Sequence, residues 1–146
     1  MSIGKFWEDF CKKSGIEKDT KYEGWQFGGE PDNLANLVLR GIKTATASGA
    51  DLYELDGDEF PNVGDYSIIL DSKDNPVCVI RTTKVYVEKF KNVSKEHAYK
   101  EGEGDRSLEY WRMVHKAFFT SEYKEYGLEF NEDINVLCEE FEVLYY

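Results

Sequence analysis

Apolar residues at the start of the chain recur with the spacing that places them on one face of a helix. The spacing is i, i+3, i+4, i+7, i+8, and its members are Ile3, Phe6, Trp7, Phe10 and Cys11. Ser2 precedes this pattern as a suitable N-cap, and Gly15 follows it as a helix stop. We predict an amphipathic helix whose aromatic stripe packs into the core.

A second helical pattern leads into a short strand. Apolar side chains lie at helical spacing over residues 34–38, after Pro31, and Asp32 is the expected N-cap. Gly41 suits the left-handed conformation that commonly ends a helix. Residues with hydroxyl groups then alternate with alanine over 44–48, which predicts a strand directly after the helix.

β-Branched and alternating segments predict the remaining strands. We expect a hairpin made of strands 64–70 and 76–87, and a closing strand over 134–145. Ser94 and Ser107 are suited to cap two helices that lie between the hairpin and the closing strand.

The segments 22–32 and 51–62 are predicted as loops, because the first is rich in glycine and the second is acidic and irregular. The predicted strands are mostly antiparallel and the helices lie outside the hairpin. This order favours an α+β fold, a small open β-barrel with flanking helices. A chain of 146 residues is expected to form one domain, 1–146, with its own core.

The composition excludes several classes of protein. No apolar run reaches membrane-spanning length and no signal-peptide core is present, so we expect a cytoplasmic protein without a membrane partner. Three widely spaced cysteines fit buried, reduced thiols better than disulfides. Two histidines are too few for a histidine-rich metal centre, and we predict neither a metal nor another cofactor.

The net charge of −11 is unevenly distributed. Residues 81–116 carry nine Lys and Arg against six acids, whereas residues 50–75 and 117–146 are strongly acidic. A basic middle segment is compatible with a nucleoside, a nucleotide or short single-stranded RNA as partner. It gives poor support for long duplexes, which need a broad basic surface. The acidity of the other segments is explained by solubility alone.

Candidate chemistry centres on the stretch 40–48, where Lys43 is followed by a row of hydroxyl groups with only small side chains between them. No Gly-x-Ser-x-Gly elbow and no phosphate-cradling glycine motif occurs. Lysine, threonine and glutamate therefore remain as reactive groups. A lysine removed from water can act as a base, and a threonine hydroxyl supplied with that base can attack an amide carbonyl.

Trp25 could stack on a base or close the core as a lid, and the two interpretations are equally supported. Glu30 could meet Lys43 or a ligand. Arg81 interrupts an apolar strand. If it shares a face with Val77 and Val79, we expect it to point towards the sheet interior, either in a buried ion pair or against a phosphate or carboxylate of a ligand.

The motif Gly41-x-Lys43-x-x-Thr46 occurs together with distinctive segments over 27–31, 63–66, 77–83 and 96–108. In this combination, which covers most of the chain, the sequence resembles ASCH-domain proteins, a family with a PUA-like barrel and suspected roles in RNA metabolism. By this resemblance residues 1–24 are an N-terminal helical extension of the single domain, 1–146.

One small bacterial type in the family is an N4-acetylcytidine amidohydrolase that uses a lysine, a threonine and a glutamate. The resemblance implies Thr46 as nucleophile, Lys43 as its activator and Glu101 as acid/base partner. Other members are reported as ribonucleases. The residues expected to bind substrate are Trp25, Glu30, Ser48, Arg81, Arg106 and Trp111.

Lys43 and Thr46 can share a pocket only under a geometric condition. Residues three apart in a regular strand point to opposite faces, so Lys43 must lie in the turn after Gly41 or a bulge must separate the two. Three hypotheses follow: a hydrolase acting on a modified nucleoside or a phosphodiester, a non-catalytic RNA- or nucleotide-binding module, and a protein-interaction domain. In the third, Arg81, Arg106 and the acidic residues form internal ion pairs. Separately, the alternative for Thr46 is an ordinary strand threonine that is hydrogen-bonded and inert.

Overall fold

The computed structural model describes residues 1–146 as five α-helices, one short 3-10 helix and five strands. The helices are α1 (Ile3–Ser14), α2 (Pro31–Leu39), α3 (Ala50–Asp56), α4 (Lys95–Glu101) and α5 (Leu108–Glu125), and the 3-10 helix is Phe90–Asn92. The strands are β1 (Tyr22–Gln26), β2 (Ala45–Gly49), β3 (Tyr66–Leu70), β4 (Pro76–Lys89) and β5 (Asn135–Tyr145).

The strands form one sheet in the order β1-β3-β4-β5-β2. β1 runs parallel to β3, and the other three pairs are antiparallel. The long strands β4 and β5 shift register after Val79 and again after Thr82, and such irregularities bend a sheet.

The predicted α+β class with mostly antiparallel strands is confirmed, but the sheet is a half-barrel and not a closed barrel. The edge strands β1 and β2 share no hydrogen bonds with each other, so the curled sheet leaves a gap between them.

Helices cover both faces of the sheet. Neighbouring residues of a strand point to opposite faces. Ile68 packs with Phe6, Trp7 and Phe10 of α1, whereas the adjacent Ile69 packs with Leu34 and Val38 of α2. We call the α1 side the outer face and the α2 side the inner face. A third cluster joins α5 to β5 and includes Trp111, Phe119, Tyr123 and Val136.

Most helix ends agree with the local signals. Ser2, Ser94 and Ser107 accept hydrogen bonds from the first turns of α1, α4 and α5. Gly15 and Gly102 end α1 and α4 in the left-handed conformation. The prediction of Asp32 as N-cap is wrong. Its carboxylate instead accepts two hydrogen bonds from Ser72, in the turn between β3 and β4, each at 2.8 Å.

Two predicted loops contain regular structure. Residues 22–26 form the edge strand β1, because β3 supplies backbone partners from a distant part of the sequence. Residues 50–56 form α3, which ends at Gly57 with a φ of 72°. None of the helices is both long and apolar enough to cross a membrane. All three cysteines are buried and free.

Candidate functional site: a buried charge cluster beside an open cavity

Lys43 lies in the turn between α2 and β2, two residues after the left-handed Gly41 (φ 75°). Its side chain is only 1% exposed. The Nζ atom lies 3.3 Å from Glu101 Oε1 and 3.1 Å from Glu103 Oε2, and it donates to the Glu101 carbonyl at 3.4 Å. Two carboxylates, one from the end of α4 and one from the following loop, therefore compensate the charge of Lys43.

Glu101, the last residue of α4, is the centre of this group and is 1% exposed. Its Oε2 accepts a hydrogen bond from Trp111 Nε1 at 2.6 Å and lies 2.7 Å from His97 Nε2. Its Oε1 lies 3.4 Å from His115 Nε2 as well as contacting Lys43. We name these residues the charge cluster; its members are Lys43, His97, Glu101, Glu103, Trp111 and His115.

The charge cluster is electrostatically satisfied. Burial alone would raise the pKa of Glu101, but the Lys43 charge and the hydrogen bonds from His115 and His97 hold that pKa well below its usual range. Burial alone would lower the pKa of His115, yet its hydrogen bond and charge interaction with Glu101 raise it. Each group in this pair stabilises the charged form of the other.

Ligand-type atoms of Glu101, Glu103 and His115 lie within 4.8 Å of one another, which is compatible with a metal site by distance. The Lys43 ammonium already contacts both carboxylates, so the positive charge that a metal would bring is supplied by the protein. The arrangement is an ion-pair network, and its chemistry does not require a metal.

A cavity of about 760 Å³ opens on the inner face of the sheet, between the edge strands β1 and β2. Its lining includes residues of all five strands, the loop 57–62 and α5. Aromatic side chains make up much of its wall: Tyr22, Trp25, Phe27, Phe60, Tyr66 and Phe118.

A row of polar side chains from four neighbouring strands lies at the bottom of this cavity. We name it the cavity floor, and its members are Ser67, Thr82, Glu139 and Thr46. Ser67, Thr82 and Glu139 are all at least nine-tenths buried. Thr46 and Glu139 are direct cross-strand partners in the β2–β5 pair, which places their side chains side by side.

Glu139 has only one partner. Thr82 Oγ1 donates to its Oε2 at 2.7 Å, and its Oε1 makes no hydrogen bond or ion pair with the protein. Burial raises the pKa of Glu139, and the nearby charges of Asp65 and Glu23 add to this, although the Thr82 hydrogen bond opposes it. The hydroxyls of Thr46 and Ser67 are also without hydrogen bonds to other residues.

The predicted catalytic residues divide between the two regions. Lys43 and Glu101 belong to the charge cluster and do not line the cavity, whereas Thr46 does. Phe27 lies between the regions, because its ring lines the cavity and its centroid is 5.3 Å from Lys43 Nζ. Lys43 does lie in the turn before β2, as sharing a pocket with Thr46 would require, but its side chain points into the charge cluster and does not line the cavity.

Two of the residues expected to bind substrate line the cavity. Trp25 packs edge-to-face on Phe27, with ring centroids 5.0 Å apart, and is partly exposed. Ser48 and Tyr53 share a hydrogen bond of 3.1 Å within the lining. Glu30 is exposed at the start of α2 and does not line the cavity.

The other three have different surroundings. The prediction that Arg81 points towards the sheet interior is wrong. It follows Val79 on the outer face, is 44% exposed and pairs with Glu142. Arg106 donates to the carbonyls of Tyr99 and Ile42 and so braces the turn before Lys43. The Trp111 indole is buried against His115. Their substrate contacts stay predictions.

Sequence reasoning missed Glu139, Thr82 and Ser67. Glu139 interrupts the apolar segment that predicts the closing strand, and this is the same signal that drew attention to Arg81. The signal marks an unusual strand position, but the face to which the residue points depends on the register of β5 against β2 and β4.

A family model described as the ASCH domain matches residues 23–145. The chain belongs to the ASCH domain family. This is a family proposed to bind RNA. No functionally curated protein matches the sequence.

Solved structures of similar proteins agree with this family. The crystal structure of an ASCH domain from Lactobacillus crispatus JV V101 has a TM-score of 0.93 and 32% identity, and the match covers 100% of this chain and 97% of that chain. Protein EF3133 from Enterococcus faecalis V583 has a TM-score of 0.88 and 34% identity, over 98% of this chain and 88% of that chain. The hypothetical protein PH0355, at 19% identity and a TM-score of 0.55, shares the fold over 84% of this chain and 96% of that chain.

Proposed function

We propose that this ASCH protein binds a nucleoside, or one unpaired base of single-stranded RNA, in the cavity between β1 and β2. The observation that carries the proposal is the combination of aromatic walls with a polar floor on which the Thr46 and Ser67 hydroxyls and Glu139 Oε1 have no protein partners. The volume of about 760 Å³ lies within the range of small-molecule sites. A base offers flat faces to aromatic side chains and donors and acceptors to polar ones.

Trp25 is the residue best suited to stack on a base. It lines the cavity, keeps part of its ring exposed and is held by Phe27. Base–aromatic stacking contributes roughly 1–3 kcal/mol per base. Trp25→Ala should therefore weaken binding by about 5- to 150-fold.

Titration calorimetry with the four nucleosides and a short single-stranded RNA tests the proposal. Tyr146→Ala is a matched control, because Tyr146 is an exposed aromatic residue outside the cavity. We expect saturable binding that Trp25→Ala weakens and Tyr146→Ala does not change. Absence of binding by every nucleoside and RNA at about 1 mM would refute the proposal.

A second candidate function is hydrolysis of an amide on the bound base, as in N4-acetylcytidine. The observation that favours it is the free Thr46 hydroxyl in the cavity, three residues after Lys43. In this version Thr46 is the nucleophile, Lys43 its activator and Glu101 the acid/base partner. Because two carboxylates hold the Lys43 ammonium, activation requires that amine to leave the charge cluster for the cavity.

Release of acetate from N4-acetylcytidine tests this version. Thr46→Val removes the hydroxyl with little change of shape, and we expect it to abolish turnover while nucleoside binding persists. Thr44→Val is the control, since the Thr44 hydroxyl contacts the Lys100 carbonyl outside the cavity. Unchanged turnover in Thr46→Val would rule out Thr46 as nucleophile. No acetate release by the unaltered protein would leave the binding function alone.

A further inference from the structure

Glu139 is a buried carboxylate with an unused acceptor. It is 8% exposed and lies in the middle of β5, and Thr82 occupies only its Oε2. Oε1 has no protein partner. Since no fully buried side-chain oxygen or nitrogen lacks a hydrogen bond, Oε1 keeps some exposed surface, and that surface faces the cavity. Burying a carboxylate without a cation or a full set of hydrogen bonds is costly. A ligand with a suitable donor would remove this cost.

The lining of the cavity makes a positive or donor-bearing ligand more favourable still. Besides Glu139, five acidic residues line the cavity: Glu23, Asp58, Glu59, Asp65 and Glu122. Lys21 is the one cationic residue in the lining. In a cleft with low-dielectric walls, charges of one sign add to a strong local potential. That potential attracts cations and repels phosphate.

The neighbours of Glu139 leave a donor-bearing group room to bind. The hydroxyls of Thr46, its cross-strand partner, and of Ser67 are unpartnered and can donate or accept. Phe27 and Trp25 provide apolar surface in the same cavity. An aromatic ring with N–H groups on one edge would supply a donor to Glu139, hydrogen-bond partners for the two hydroxyls and a flat face for the aromatic side chains.

We propose that Glu139 is the specificity-determining residue of the cavity and accepts a hydrogen bond from an N–H group of the ligand. The cavity then selects amino-bearing or protonated nitrogen compounds with a flat ring, and it excludes their phosphorylated forms. For a nucleoside ligand this inference rests on the proposed function, since both use the same cavity. It favours the free nucleoside over a base of single-stranded RNA, because RNA carries phosphates.

Two pairs of probes separate the selection for positive charge from the rejection of phosphate. Benzamidine and benzamide have nearly the same shape, but only benzamidine is cationic. Cytidine and cytidine 5′-monophosphate share a base and differ by the phosphate. Charge-assisted hydrogen bonds are about twice as strong as neutral ones, so we expect benzamidine to bind at least roughly tenfold more tightly than benzamide. Cytidine should bind more tightly than its monophosphate, with the difference decreasing at high salt.

The decisive variant is Glu139→Gln, which keeps the shape of the side chain and removes its charge. We expect it to reduce the affinity for benzamidine to that for benzamide. Glu140→Gln is the matched control, because the neighbouring Glu140 pairs with Lys100 and does not line the cavity. It should leave both affinities unchanged. Thermal unfolding checks that each variant is folded.

The outcomes distinguish this inference from the proposed function. If benzamidine binds through Glu139 but no nucleoside binds, the inference stands and the nucleoside function fails. If nucleosides bind while Glu139→Gln has no effect on benzamidine, or the monophosphate binds as tightly as cytidine, the inference is overturned and the nucleoside function stands. If neither benzamidine nor any of the four nucleosides nor the RNA binds to the unaltered protein, both are overturned.

Discussion

Glu101 and Glu139 are both buried carboxylates of this ASCH protein, yet their surroundings are opposite. Glu101 is contacted by Lys43, two histidines and the Trp111 indole, and the resulting pKa lies well below its usual range. Glu139 has a single hydroxyl partner and further acids nearby, and burial raises its pKa. The first carboxylate is stabilised by the protein, whereas the second has a vacant acceptor.

This difference separates the two regions by what each can do. A buried polar group with all its hydrogen-bond partners makes the structure more rigid. A buried polar group that lacks partners destabilises the fold, and a bound ligand that supplies the hydrogen bond removes this cost. The charge cluster fixes the loop after α4 and the turn before β2, the strand that lines one edge of the cavity. The cavity floor is the region with free polar atoms. The comparison favours a structural role for the cluster, and we propose that the ligand contacts the floor.

The largest effect is expected from Lys43→Met, which leaves Glu101 and Glu103 without their cation. Removing one partner of a buried ion pair costs about 3–5 kcal/mol in the free energy of unfolding. Urea denaturation measures this loss. Lys100→Met is the control, because Lys100 pairs with Glu140 near the surface, and such pairs contribute less than about 1 kcal/mol. Equal losses in the two variants would show that the charge cluster does not stabilise the fold.

Trp111→Phe should have the next largest effect. It keeps an aromatic ring and removes the N–H that donates to Glu101 Oε2 at 2.6 Å. Hydrogen bonds to charged groups contribute about 1.5–3 kcal/mol, and we expect a loss of that size. Nucleoside affinity should be unchanged, because Trp111 does not line the cavity. A variant that is as stable as the unaltered protein but no longer binds nucleoside would show that Trp111 contacts the ligand, as predicted from the sequence.

Glu139→Gln should change stability in the opposite direction. The pKa of Glu139 is raised in the folded state, so folding favours its protonated form, and stability decreases as pH rises from about 4.3 through the raised folded pKa. Glutamine does not ionise, so the stability of the variant does not decrease in this way as pH rises. We expect it to be more stable at neutral pH by roughly 0.5–2 kcal/mol, a gain typical of replacing a residue kept for function.

The advantage of Glu139→Gln should disappear below about pH 4, where Glu139 is protonated in both the folded and the unfolded chain. Unfolding measured from pH 4 to pH 8 checks the sign. A variant that is less stable than the unaltered protein at neutral pH would show that the Glu139 charge is compensated in a way the cavity does not reveal.

The smallest effect is expected from Arg81→Ala. The side chains of Arg81 and its partner Glu142 are each 44% exposed, and exposed ion pairs contribute about 0–1 kcal/mol to the free energy of unfolding. Neither stability nor nucleoside binding should change beyond that range. A large loss of binding would mean that the ligand reaches the outer face, which the position of the cavity does not suggest.

Local signals predicted much of the fold. Ser2, Ser94 and Ser107 cap helices because their side chains need only neighbouring backbone groups, and Gly102 ends α4 for the same local reason. Pairing between distant segments was beyond such signals. β1 is a strand only because β3 lies beside it, and the half-barrel stays open because no strand joins β1 to β2.

The site shows the same limit. The family resemblance singled out Lys43 and Glu101, and the structure brings them into contact although they are separated by 58 positions in the sequence. It also singled out Thr46, but it could not show that Thr46 lines the cavity whereas Lys43 and Glu101 do not. That difference depends on how the side chains pack around Phe27 in three dimensions. Glu139 went unrecognised since an acidic residue in a strand acquires meaning only from the register that places it opposite Thr46.

A crystal structure of the protein soaked with cytidine tests most directly whether the cavity floor is the ligand site. The account predicts the base in the cavity beside Trp25, with one of its N–H groups about 3 Å from Glu139 Oε1 and the charge cluster intact. Cytidine bound against Lys43 and Glu103, with Glu139 unoccupied, would contradict it.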